Sequence, residues 1–232
     1  MNYNEVIEKL ESLKNPKNVA GMARFGIRPK TKVYGISIPE LRKIAKVILR
    51  QAQDKKKNHE LALKLWDSKT HEARILAGMI ADSEKLMASQ IKKWVGDFDS
   101  WDVCDQVCMN LLDKSKVAKN QISKFAKSKK EFVKRTAFAL IAALAVHDKK
   151  MEDKDFIKFF PLIKKAAIDE RNFVRKAVNW ALRQIGKRNK KLNSRAIKLA
   201  KEIQKIKSKS AKWIANDAIR ELTSKKTKNK LK

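Results

Sequence analysis

The chain has 232 residues, 43% of them hydrophobic, enough to bury the core of one domain and too few for a multidomain enzyme. Its 56 Lys and Arg against 25 Asp and Glu give a formal net charge of +31, well beyond what solubility asks for, so a polyanion is the expected partner and a neutral protein-binding scaffold is disfavoured. The longest apolar run, Ala137 to Val146, is about half the roughly 20 residues that span a bilayer, so no membrane segment is expected.

With only six Gly and four Pro, and no sustained alternation of apolar and polar residues, helices are expected nearly everywhere. In chain order the predicted helices cover 3–13, 16–25, 38–52, 58–66, 70–82, 84–96, 100–113, 115–127, 130–147, 153–167, 172–187, 190–206 and 210–223. Start signals stand at Asn15 before Pro16, and at Ser37-Ile38-Pro39-Glu40 and Ser128-Lys129-Lys130-Glu131, which read as capping boxes. Short connections imply antiparallel helical hairpins. Glu131-Phe132-Val133-Lys134-Arg135 is echoed by Asn172-Phe173-Val174-Arg175-Lys176 at a separation of 41, and Trp213-Ile214-Ala215 follows 40 residues later. A period near 40 built from paired helices predicts an all-α fold, a curved solenoid of HEAT or armadillo-like repeats over 1–223, with a concave face that Lys and Arg could line. The segment 224–232, SKKTKNKLK, is expected to be a disordered basic extension.

Cys104 and Cys108 are four apart in a predicted helix and read as free, buried thiols, which suits a reducing cytosol; the opening MNYNEVIEKLESLK has no signal-peptide pattern, so a cytoplasmic, nucleoid-associated chain is expected. His59, His71 and His147 are scattered, HExxH is absent, and the glycines never form GxGxxG or GxxxxGK, so no metal or nucleotide cofactor is expected. The segment Asp99 to Asp105 is more informative. Asp99 or Ser100 can cap a helix on which Trp101 and Asp105, one turn apart, share a face. Spacing leaves two readings open: a partly desolvated carboxylate beside an indole, facing a cationic centre, or a core Trp with an acid near the helix N-terminus. Asp102 points about 100° away and is expected to be a first-turn acid whose loss costs under about 1 kcal/mol. Trp180 and Arg183 are three apart on a later helix, and Arg135 stands where a guanidinium could grip phosphate, though each alone is also an ordinary core Trp or solvated Arg.

Taken in order, the segment Gly35, Ile36, Pro39, Leu41 and Arg42, then SWDVCD at 100–105, FVKRTA at 132–137, KAVNWALRQIGK at 176–187 and WIANDAIREL at 213–222 resemble the DNA alkylation repair family, alkylpurine DNA glycosylases of the AlkD type. The resemblance implies a curved stack of HEAT-like repeats acting on double-stranded DNA, and a monomer is expected. It implies base excision repair by release of cationic alkylated purines, such as 3-methyladenine and 7-methylguanine, without flipping the base into a pocket. Carried over by motif, Trp101 and Asp105 match the catalytic pair, Trp180 the second sugar-facing Trp, Arg135 the phosphate-contacting arginine, and Arg183 follows as a further DNA-binding residue; cofactor and metal are unnecessary. The segment GMARFGIRPKTKVYGIS is longer than the family's form, so the aromatic lesion contact expected there has two candidates, Phe25 and Tyr34. Some relatives have lost the catalytic residues and only bind DNA, which makes a non-catalytic HEAT-repeat DNA-binding protein the alternative.

Overall fold

The structure is a computed structural model that describes residues 1–51 and 55–231. Position 52, the expected end of the third helix, and Lys232 lie outside the described residues. Among the described residues the fold is all-helical, with sixteen α-helices, one 3-10 turn and one isolated parallel bridge between Lys32 and Thr70. The chain divides into two compact units, Met1–Ala118 and Lys119–Lys232.

The first unit holds α1 (Tyr3–Ser12), α2 (Pro16–Arg24), α3 (Ile38–Gln51), α4 (Lys55–Asp67), α5 (His71–Ile80), α6 (Ala88–Gly96) and α7 (Trp101–Asn110). A 3-10 turn (Leu112–Lys114) and α8 (Lys116–Lys119) carry the chain across the boundary at Ala118. Asn15 caps α2 by accepting the Asn18 N–H at 3.1 Å, as the Asn-Pro pair suggested. Ser37 forms only half of its expected box: its hydroxyl takes the Glu40 N–H at 3.4 Å, while the Glu40 carboxylate goes to Lys43. Of α5 every residue but Met79 is buried, which makes it the core helix of the unit, with α3, α4 and α7 packed around it. At Gly78 a Cβ would meet Val107 Cγ2 at 2.9 Å, so the glycine is what lets α7 approach α5 so closely.

The second unit holds α9 (Ile122–Ala126), α10 (Glu131–His147), α11 (Asp153–Ile157), α12 (Phe160–Ala166), α13 (Asn172–Gly186), α14 (Lys190–Gln204), α15 (Lys209–Thr223) and α16 (Lys225–Lys228). The expected helix 115–127 is thus broken into α8 and α9, and 153–167 into α11 and α12, with Pro161 in the first turn of α12, where its missing N–H costs nothing. Ser128 takes the Lys130 N–H rather than closing a capping box. α10 is buried from Arg135 through Ala145 and packs on α13, which in turn packs on α15. The repeat is written in the hydrogen bonds: Arg135 to the Phe173 carbonyl, Asn179 to the Ile214 carbonyl, Arg171 to the Lys129 carbonyl and Ser210 to the Asp169 carbonyl join residues 35–42 apart. Phe132 and Phe173, equivalent by the period of 41, stack with centroids 5.6 Å apart. Where the sequence suggested a disordered extension from Ser224, Ser224 caps the short α16 and Thr227 is buried, because a Ser and a Thr three apart can anchor even a Lys-rich turn.

Candidate functional site

The start of α7 is fixed by side chains rather than by an ordinary cap. Ser100 has the extended backbone of an N-cap, yet its hydroxyl donates to the Asp102 carboxylate instead of accepting a helix N–H. The second Asp102 oxygen is 2.8 Å from His71 Nε2, and this pair is almost sealed, the side chains being 1% and 14% exposed. Burial by itself would lower the His71 pKa, but the hydrogen bond and charge of Asp102 outweigh it and hold the imidazole above its ordinary range. Burial likewise works to raise Asp102, and His71 and Ser100 outweigh it, so the carboxyl is held below the usual range. Asp102 is the first-turn acid that was expected, but the small stability cost expected of its loss is corrected: it is one half of a buried ion pair that ties α7 to α5. Asp99 completes the seat by accepting the Lys30 N–H at 2.8 Å.

On that seat Trp101 and Asp105 lie one turn apart and partly exposed, while Val103, Cys104, Val107 and Cys108 are buried. Cys104 and Cys108 are buried in the core and form no disulfide, as expected. The Trp101 indole N–H donates to the Phe25 carbonyl at 3.1 Å, which fixes the ring against the segment following α2. Phe25 itself is 74% exposed. Tyr34, the other aromatic candidate of that segment, is buried; its hydroxyl donates to Glu11 at 2.9 Å, and burial is the main cause that pushes its phenol upward. Of the two candidates, Phe25 is the exposed one, and its backbone carbonyl holds Trp101.

The segment Tyr34 to Ile36 is held by one buried carboxylate, Glu72, which accepts the backbone N–H of Tyr34 at 3.0 Å, of Gly35 at 2.6 Å and of Ile36 at 3.3 Å. Gly35 has φ +79°, and a Cβ there would stand 2.4 Å from the Asn15 carbonyl, so only glycine fits. Sequence reading missed both Glu72 and His71. They are adjacent on α5 yet 36 to 38 and 31 residues from their partners, and no local spacing marks such a pairing.

The other three candidates lie in the second unit. Arg135 is 5% exposed, and one guanidinium nitrogen donates to the Phe173 carbonyl at 2.5 Å, which fastens α10 to α13. Trp180 is partly exposed on α13. Arg183, one turn on, bonds to Glu221 and stands 3.6 Å from Asp217, both on α15. The structure thus groups Trp101 with Asp105 in one unit, and Arg135, Trp180 and Arg183 in the other. Two of the recurring segments, around Trp180 and after Trp213, join each other through Arg183 with Glu221 and through Asn179, which donates to the Ile214 carbonyl at 3.1 Å.

A sequence profile described as DNA alkylation repair enzyme matches residues 6–222. Among curated proteins, uncharacterized protein Lin0241 of Listeria innocua is 22% identical over 205 residues, spanning 88% of this chain and 87% of that one. Uncharacterized protein Lmo0209 of Listeria monocytogenes is 28% identical over 92 residues, 40% of this chain and 39% of that protein, so the chain spans well under half the length of this relative. A solved structure described as "a new family of proteins related to the HEAT-like repeat DNA glycosylases with affinity for branched DNA structures" superposes with a TM-score of 0.74 at 19% identity, covering 95% of both chains, which establishes a HEAT-like helical-repeat fold. With the profile running almost end to end, the chain belongs to the DNA alkylation repair enzyme family.

Proposed function

We propose that the protein is a DNA glycosylase that excises cationic alkylated purines of the 3-methyladenine and 7-methylguanine type from duplex DNA, without turning the base into a pocket. The carrying observation is the seat of α7: a Trp and an Asp one turn apart, partly exposed, on a helix start clamped by a buried His71 and Asp102 pair and by the Trp101 bond to Phe25. A preorganised anion is what this chemistry asks for. The alkylated purine already carries positive charge and leaves as a neutral base, so no general acid is required. As the glycosidic bond lengthens, positive charge grows on the deoxyribose, and Asp105 stabilises it and orients the attacking water. Trp101 presents its negative ring face to the same cation; Trp180 is carried as a sugar-facing Trp by the family motif alone. Arg135 and Arg183 serve DNA binding, Arg135 through a phosphate contact alongside its bond to Phe173. Phe25, exposed and holding Trp101 through its backbone carbonyl, is the aromatic that meets the lesion.

A second reading, DNA binding without excision, draws on two observations. Arg135 is buried and Arg183 is engaged by acids, and the structural relative is described by an affinity for branched DNA. Incubation with a duplex carrying one 7-methylguanine, followed by cleavage at abasic sites, separates the two. Abasic sites above the spontaneous rate support excision; binding with no excess leaves the second reading.

A further inference from the structure

Near the N-terminal ends of α10, α13 and α15 stand Phe132, Phe173 and Trp213, spaced by the repeat, and the proposed excision chemistry uses none of them. Phe132 and Phe173 stack on each other, both partly exposed. Trp213 remains 39% exposed, and the Arg175 guanidinium from α13 lies 5.1 Å from its ring centroid. The acids nearest Arg175 and Trp213 in sequence are already engaged: Asp217, one turn from Trp213, pairs with Arg183 and Arg220. Asp169 accepts Lys134 at 2.8 Å and Arg171, whose bonds outweigh burial and hold its carboxyl far below the usual range; Glu170 accepts Ser208 and Ser210. Lys176, Lys209 and Lys212, by contrast, are exposed. The surface combines a solvent-facing indole, an arginine stacked on it and a surplus of lysines.

From this combination we infer that Trp213 and Arg175 form a docking site for an unpaired nucleotide, with single-stranded DNA as the occupant. In a duplex the base faces are stacked on one another and an indole plane has nothing to lie against; an unpaired base offers its full face, and its phosphates suit the lysines. A charge-neutral peptide would leave those cations unanswered. The site is independent of excision, so the two readings stand or fall separately.

The test compares binding of a dye-labelled oligothymidine strand and of a fully paired duplex of the same length. Wild type binds both, and Trp213→Ala weakens the single strand by about fivefold or more, the scale of losing one stacked base, with duplex affinity within about twofold. Arg175→Ala acts in the same direction and Trp213→Phe restores most of the loss; thermal unfolding of each variant shows that it is folded. Unchanged single-strand affinity in folded Trp213→Ala, or an equal loss on strand and duplex, overturns the inference, as does a wild type that ignores the single strand.

Discussion

Asp105 and Asn differ by one charge and little in size, so Asp105→Asn isolates the electrostatic part of the proposed chemistry. It is expected to keep duplex affinity and to lose excision of 7-methylguanine by about a hundredfold or more, the effect of removing one preorganised group. Equal single-turnover rates for variant and wild type would remove Asp105 from the reaction. Arg135 makes the opposite point, because its guanidinium is buried and bonded to a backbone carbonyl. Arg135→Ala strands that carbonyl and vacates packed space, and the expected loss is about 1.5–3 kcal/mol in urea unfolding, accompanied by weaker DNA binding. A variant as stable as wild type would show that the Phe173 bond carries nothing. Spacing marked both residues as candidates. It could not tell an exposed carboxylate from a buried cation, since burial depends on which helix lies opposite.

At the scale of elements, α7 owes its placement to α5: Gly78 admits it closely, and the His71 and Asp102 pair holds its first turn. That pair makes stability depend on pH with a definite sign. The raised His71 pKa gives stability that is complete below the ordinary histidine range and is lost as pH rises through the folded value. The lowered Asp102 pKa gives stability that is complete above the ordinary carboxylate range and is lost as pH falls through the folded value. The pair therefore stabilises most between about pH 4 and pH 6.5. Asp102→Asn should cost about 1.5–3 kcal/mol near pH 6 by urea unfolding, with the gap to wild type narrowing toward pH 9. A gap that stays constant across that range would mean the pair does not titrate in this way. The position of the start of α7 was legible in the sequence, but its clamp was not, because its partner sits on another helix 31 residues earlier.

For the molecule as a whole the dominant fact is the charge of +31. Lysines and arginines that meet phosphate displace condensed counterions, so duplex affinity should fall more than about a hundredfold between about 50 and 200 mM salt, with little preference among unmodified sequences. Fluorescence anisotropy over a salt series checks this, and a flat dependence would refute a phosphate-gripping surface.

The sequence by itself determined the helical class and the period near 40, and its charge pointed to a polyanionic partner, because each is a sum over many residues that survives local error. It also carried the family, through five short segments in the right order. The tertiary structure alone decided the rest: that Glu72 holds the Gly35 turn, that His71 pairs with Asp102, that Tyr34 is buried while Phe25 is exposed, and that Arg183 is engaged by Asp217 and Glu221. Each of these depends on what the fold brings in from a distant part of the chain, and a helical period fixes which face a side chain takes without fixing what stands across from it.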